Sequence, residues 1–269
     1  MKSEWGNLMK IYGDRALNQM AIVTGATRMV GIGAAICLAL ADKGFDILYT
    51  YWPSYDRIHH DEYSQNEHEK LLELLLEKGV KAEGIEIDLS CRDAYKDIMD
   101  RANQFESKLC VLVNNAAYST RSNYEELDAE ELDRHYFVNI RNTALLSSEF
   151  CKNISFGVRG KIINMTSGQS LGAMPGELAY AASKGAVEAF TKTLAAEAAP
   201  KGITVNAVNP GPTDTGWMTE EIKRELNGRF PFGRPGQPMD AARLVAFLAS
   251  PEAEWITGQV IHSEGGFLR

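Results

Sequence analysis

The chain has 269 residues, of which 45% are hydrophobic and 24% charged, the makeup of a globular protein able to bury a large core. Its formal net charge of -8 at pH 7 argues against a broad basic footprint for nucleic acid or for an acidic membrane surface. The four cysteines, Cys37, Cys91, Cys110 and Cys151, form no metal-ligand spacing, so buried reduced thiols and a cytoplasmic setting are expected.

In chain order, the first nineteen residues, MKSEWGNLMKIYGDRALNQ, are too polar for a signal-peptide core and read as an arm ahead of one domain spanning 20–269. Strand character at 20–25 leads through the stretch VTGATRMVGIGAA into helical periodicity over 32–43. A second strand is expected at 46–52, then an irregular segment over 53–64 and a helix over 65–79. The pattern continues as strand 82–89, helix 91–107, strand 109–116, helix 128–153, strand 160–167, helix 177–199 and strand 203–211. A second irregular segment, 210–238, precedes helix 238–249 and strand 259–266. Strands that alternate with helices, and that are apolar on both faces, predict an α/β fold: a single doubly wound Rossmann domain with a seven-stranded parallel sheet. No apolar run approaches the length of a membrane span, and no repeat or linker divides the chain. The 210–238 segment leaves the carboxyl end of a strand, where open α/β sheets bind ligands, and is the expected lid.

The first candidate site is the glycine-bearing loop. Gly25, Gly31 and Gly33 follow a strand and open a helix, so the backbone there can approach a pyrophosphate and present unpaired N–H groups to it. Five residues separate Gly25 from Gly31, too many for GxGxxG, and the loop alone reads equally well as a packing turn. The second candidate is Tyr180 with Lys184. Four residues apart on a helix, they share a face, and a nearby ammonium favours a phenolate. A YxxxK pair also arises by chance with the lysine simply solvated.

Four stretches in register sharpen this: TG…GIG after the first strand, NNAA at 114–117, YAASK at 180–184 and NPGPTDT at 209–215. Together they resemble the short-chain dehydrogenase/reductase family over roughly residues 20–269, with a layout most like bacterial 3-oxoacyl-(acyl-carrier-protein) reductases. The loop is two residues longer than the family's, and Ala117 stands where the family usually has glycine. The resemblance implies hydride transfer between a nicotinamide cofactor and a carbonyl or secondary alcohol. Tyr180 would be the acid or base, Lys184 would lower its pKa, Ser167 would hold the substrate oxygen, and Asn139 would position a water leading to the lysine. The bland reading of Asn139 is a helix-interior residue bonded to a backbone carbonyl.

The implied cofactor set is Gly25, Thr27, Arg28, Gly31, Ile32, Asp88, Leu89, Asn115, Ala116, Tyr180, Lys184, Pro210, Gly211, Thr213 and Thr215, with Asn114 alongside. Arg28 matches a position where NADP-preferring relatives carry arginine, and YTYWPS at 49–54 has no carboxylate for a ribose, so NADP(H) is expected over NAD(H). Asp56 is the residue that would rescue NAD binding. Asp88 would meet the adenine or cap the next helix.

Gln169, Leu171, Met174 and Glu177 are expected to line the substrate pocket, under a roof of Trp217 and Met218 that equally suits helix packing. The substrate would be a small carbonyl or alcohol compound, free or carried on acyl carrier protein, for which Arg121, Arg141, Lys223 and Arg224 offer a basic patch. Alternatives are a sugar or polyol dehydrogenase and a non-catalytic NADP-binding sensor. His59, His60, Asp61 and Glu62 read as a solvated loop, and no metal site is expected. The family habit implies a homotetramer or homodimer.

Overall fold

Seven aliphatic segments pair as one parallel sheet in the computed structural model, which describes residues 18–59, 66–155 and 157–269. They are β1 (Gln19–Val23), β2 (Asp46–Tyr51), β3 (Ala82–Glu86), β4 (Lys108–Asn114), β5 (Gly160–Met165), β6 (Ile203–Asn209) and β7 (Val260–His262), ordered β3-β2-β1-β4-β5-β6-β7. The order reverses between β1 and β4, the switch point at whose carboxyl edge ligands bind in this architecture. Gln19 belongs to β1, so the arm expected over 1–19 shrinks to residues outside the sheet, of which 1–17 lie beyond the described residues.

Side chains alternate along each strand, so one apolar run feeds two cores. Ala21 and Val23 join the core under α1 (Ile32–Asp42) and α9 (Pro238–Leu248), whereas Met20 and Ile22 face the opposite core. That second core is built from α4 (Ala94–Ala102), α6 (Thr143–Asn153) and α7 (Leu178–Ala198), with Ile98, Leu146, Phe150 and Ala195 fully or almost fully buried. Leu112 and Ile162 repeat the parity on β4 and β5; truncating either to alanine is a cavity of the kind that costs about 2–5 kcal/mol.

The expected strands are each longer than the observed ones at the carboxyl end. Thr24–Gly25, Asn115–Ala116, Thr166–Ser167 and Pro210–Gly211 leave the sheet there, and all of them except the buried Thr24 line a cavity. The irregular segment after β2 begins as a helix, α2 (Pro53–His59), with proline at its first position, where the missing N–H is no loss. The expected lid likewise holds a helix, α8 (Glu220–Leu226), with glutamates in its first turn and Lys223 and Arg224 in its last, as the helix dipole favours. Helix 128–153 is three consecutive pieces: α5 (Ala129–His135), a π-helical segment (Tyr136–Asn142) and α6. The remaining helix, α3 (Glu67–Glu77), packs against α1 and β3.

Cys37 and Cys110 are buried, but Cys91 is exposed and Cys151 half-buried, which corrects the expectation of four buried thiols. His60, Asp61 and Glu62 lie outside the described residues, as does the side chain of His59. Among the described residues no group of His, Cys, Asp and Glu could hold a metal ion, and no helix is long and apolar enough to cross a membrane.

Candidate active site

A cavity of about 800 Å³ opens along the carboxyl edge of the sheet. Its floor is the glycine loop. Gly25 has φ +74°, a left-handed conformation, and a Cβ there would sit 2.6 Å from the Ala116 Cα. Gly33 lets the first turn of α1 press on the loop, since its Cβ would lie 2.2 Å from the Gly25 carbonyl oxygen. Asn115 fastens the arrangement by donating Nδ2–H to the carbonyls of Thr24 (2.9 Å) and Gly25 (2.8 Å). Helix α1 starts at Gly31 with no side-chain cap, and Gly31, Ile32 and Gly33 line the cavity. Unpaired helix N–H groups facing a cavity suit a phosphate, so the residues present fit a dinucleotide.

The loop's extra length is held by side chains. Arg28 pairs with Asp56 through Nε (3.0 Å) and donates Nη1–H to the Thr215 carbonyl (2.8 Å), reaching across to the segment after β6. Glu67 accepts the Met29 N–H at 2.5 Å. Thr27 Oγ1 accepts the Trp52 N–H at 3.2 Å. Burial pushes the Asp56 carboxyl up, and Thr27 and Arg28 pull it back. Asp88 lines the cavity and accepts the Ser90 N–H at 2.8 Å in a local turn; it does not cap the next helix, because α4 starts at Ala94 with Asp93 in the cap position. Leu89 and Ala116 also line the wall. Asn114 does not: it is buried in the sheet, donating to Ser147 (3.0 Å) and Asn164 (2.8 Å).

Tyr180, Ser167 and Lys184 meet in the same cavity. Burial pushes the Tyr180 phenol up to about 12, against a hydrogen bond donated by Ser167 that favours the phenolate. Lys184 is 3% exposed, lies with Nζ 5.6 Å from the Tyr180 ring centroid and donates to the Met165 carbonyl at 2.9 Å. Burial lowers the Lys184 pKa to about 8. In this arrangement it is Ser167, rather than Lys184, that pulls the phenol down.

Asn139 does not line the cavity. Its side chain clamps Tyr118, accepting the backbone N–H (2.8 Å) and donating to the carbonyl (2.9 Å), and also donates to Ser183 (2.9 Å). This is the backbone-bonding role the bland reading describes, set within the π-helical segment.

Downstream, Gly211 turns at φ +65° and donates N–H to Asn209 Oδ1, while Thr213 Oγ1 donates to the Pro210 or Gly211 carbonyl, both 3.2 Å away. Pro210, Gly211, Thr213 and Thr215 all face the cavity. Trp217 lines it, held by Nε1–H on the Thr213 carbonyl (2.7 Å), whereas Met218 is buried and packs inside. Met174 and Glu177 line the wall as expected; Gln169 and Leu171 do not.

The family model described as enoyl-(acyl carrier protein) reductase matches residues 25–268. An uncharacterized oxidoreductase of Bacillus subtilis, YjdA, is 51% identical, covering 93% of this chain and 97% of its own. The chain belongs to the short-chain dehydrogenase/reductase family. The 3-oxoacyl-[acyl-carrier-protein] reductase FabG of Staphylococcus epidermidis is 36% identical over 93% of this chain and 99% of its own. A solved short-chain dehydrogenase from Burkholderia cenocepacia, in complex with NADP, superposes with a TM-score of 0.83 at 31% identity, covering 94% of this chain and 99% of that one.

Several residues of this short-chain dehydrogenase/reductase site were not singled out from the sequence. Tyr55, Tyr118, His135 and Tyr180 form a run of rings with successive centroids 5.7, 4.9 and 6.3 Å apart. Glu188, one turn beyond Lys184 on α7, is buried and accepts from Thr166 (3.1 Å), Gln169 (2.6 Å) and Ser170 (3.2 Å), pinning the loop that carries Ser167. Its position at Tyr180 plus eight, on the same helical face, was the available signal. Arg229, Phe267 and Arg269 also line the cavity, from parts of the chain with no motif. Of the four residues offered as a basic patch, Arg141 donates to the Ser90 carbonyl, Lys223 pairs with Asp214 (3.0 Å) and Arg224 donates to the Glu220 carbonyl (3.2 Å), and Arg121 is the one that lines the cavity.

Proposed function

We propose that this chain is an NADP(H)-preferring carbonyl reductase acting on 3-oxo compounds, 3-oxoacyl groups on acyl carrier protein among them, with Tyr180 as the proton donor. The observation that carries the reading is the convergence of Tyr180, Ser167 and Lys184 on one cavity whose other end is an uncapped helix start in a glycine loop. The preference for NADP(H) is supported by Arg28 in that loop and by the 2′-phosphate chemistry a guanidinium suits. The NADP bound by the Burkholderia neighbour points the same way.

When bound, the nicotinamide supplies the hydride to the carbonyl carbon. This chain's residues do the rest. The Ser167 hydroxyl turns from Tyr180 to the substrate oxygen and fixes it for proton transfer. Tyr180, with its pKa near 12, holds its proton until the carbonyl oxygen gains alkoxide character, then releases it to that oxygen. The Lys184 ammonium, 5.6 Å from the ring centroid, stabilises the forming phenolate and keeps two further N–H donors that would suit the ribose. Gly25, Thr27, Gly31, Ile32, Asn115, Ala116, Pro210, Gly211, Thr213 and Thr215 hold the dinucleotide, with Asp88 and Leu89 at the adenine end. Asn139 keeps Tyr118 and the wall beside Tyr180 in place.

The reading includes a cytoplasmic homo-oligomer, a tetramer or dimer: β7 is an open edge strand, and Trp255 beside it is 99% exposed. NADPH absorbance followed with acetoacetyl thioesters, sugars, diketones and quinones tests the activity. Turnover of a 3-oxo compound with NADPH, lost in Tyr180→Phe, is the expected result; tight cofactor binding with no turnover of any compound overturns it in favour of a sensor.

A further inference from the structure

The cavity lining is rich in arginine. Arg28 pairs with Asp56 at the glycine loop, whereas Arg121, Arg229 and Arg269 line the same cavity from other segments: Arg121 faces Glu177, Arg269 lies against Gly168 and Gly172 of the loop that follows Ser167, and Arg229 is tied to Leu268, the neighbour of Arg269. In a chain of net charge -8, three such arginines lining one cavity are a local reversal, and a low-dielectric cleft concentrates such a field.

Each arginine is placed by the backbone around it. The loop holding Arg121 is fastened beside it: Ser122 donates N–H to the Gly176 carbonyl (2.8 Å) and bridges to Glu177. The Arg229 carbonyl accepts the Leu268 N–H (2.9 Å), and the next residue, Phe230, packs on Phe267 at 5.0 Å between ring centroids. Arg269 is already neutralised, donating to both oxygens of Glu264 at 2.8 and 2.7 Å, with its side chain in a slot opened by Gly168 and Gly172. The guanidinium groups of Arg121 and Arg229 make no hydrogen bond or ion pair among the described residues, and both residues are exposed at the cavity. Burial pushes the Glu177 carboxyl up and Arg121 pulls it back.

We infer that the substrate carries an oxyanion, a carboxylate or a phosphate ester, beside its carbonyl group, and that Arg121 and Arg229 receive it. This rests on the carbonyl-reductase reading above and narrows its substrate class. Guanidinium donors match either oxyanion in geometry, so the two sources share one recognition chemistry.

The test compares kcat/KM within matched pairs: acetoacetate against methyl acetoacetate for a carboxylate, and dihydroxyacetone phosphate against dihydroxyacetone for a phosphate. The anion is expected to win by about tenfold or more in at least one pair, and the winning pair names the source. Arg121→Gln and Arg229→Gln each lower that ratio several-fold, through KM more than kcat, and added salt lowers it further. Arg159→Gln, an exposed arginine next to the opposite end of β5, leaves the ratio unchanged. Equal kcat/KM within both pairs, or a ratio unmoved by both cavity variants, overturns the inference while leaving carbonyl reduction standing. Should neither pair be reduced, the activity reading fails separately. The inference is then decided by thermal protection of the NADPH-bound protein, where equal protection by acetoacetate and methyl acetoacetate, and by the phosphate and its neutral partner, overturns it.

Discussion

Lys184→Met is expected to stabilise the ligand-free protein at pH 7 while abolishing turnover. The side chain is 3% exposed and its amine is held near pKa 8 instead of its ordinary 10.5. At about 1.4 kcal/mol for each pH unit, the buried ammonium costs the folded state about 3 kcal/mol at pH 7. Methionine fills nearly the same volume without the charge, but leaves the Met165 carbonyl without its 2.9 Å donor, a loss of about 1–2 kcal/mol. The net gain is about 1–2 kcal/mol at pH 7. Its sign with pH follows from proton binding. Between pH 8 and 10.5 the unfolded chain holds a proton on this lysine that the folded chain has released, so wild-type stability from this group rises across that window. The variant has no such rise. Its advantage at pH 7 therefore shrinks and turns into a deficit near pH 10. Urea unfolding of both proteins without cofactor, at pH 7 and pH 10, measures the difference, and shared titrations cancel. A variant less stable at pH 7, by the same margin as at pH 10, refutes the claim that burial strains this ammonium.

Tyr180→Phe is expected to lower kcat by about 10³-fold or more with an unchanged Kd for NADPH, since the phenol acts on the proton and its ring stays in place; stopped-flow rates and fluorescence titration separate the two. Asp56→Asn removes the carboxylate that holds Arg28 at 3.0 Å and would repel a 2′-phosphate, so it is expected to tighten NADPH about tenfold relative to NADH. An equal gain for both cofactors would show that Arg28 does not read the phosphate. Glu188→Ala strands three donors beside Ser167 and is expected to reduce kcat about tenfold or more, whereas Glu188→Gln retains much of the rate because one acceptor oxygen survives. A loss in stability alone, with kcat intact, would make Glu188 merely structural.

The sheet was legible because its central strands, β1, β4, β5 and β6, are apolar on both faces, and because longer helical segments alternate with them; the edge strand β3, AEGIE, carries two glutamates and a weaker signal. Strand ends were less so. Thr24, Asn115 and Thr166 have strand-forming neighbours, and their departure from the sheet is decided by tertiary bonds such as Asn115 to the Thr24 and Gly25 carbonyls. The π-helical turn at 136–142 leaves no mark in an amphipathic pattern. Within the site, Tyr180, Ser167 and Lys184 lie within eighteen residues of one another, so a linear pattern reaches them. Arg229, in a 3-10 turn just after α8, and Arg269, at the carboxyl end of the sequence, reach the same cavity through tertiary packing that no local spacing encodes. Arg28 was visible as a residue, but its partner was not: the Asp56 contact depends on α2 forming where an irregular segment was expected. Asn139 was legible as a residue that bonds to backbone, but its partner was not, because its clamp on Tyr118 spans twenty-one positions.

The parity of the strands has a consequence for how such a protein varies over generations. Adding or deleting one residue inside β4 or β5 would exchange the side chains delivered to the two cores, so length changes there are purged. The glycine loop answers to no such parity. Its additional span is tied down by Asp56, Glu67 and the Thr215 carbonyl, contacts that a longer or shorter segment can exchange piecemeal. Indels are therefore tolerated beside the catalytic groove and forbidden a few residues away in the sheet, which lets descendants of one scaffold retune what they hold without refolding it.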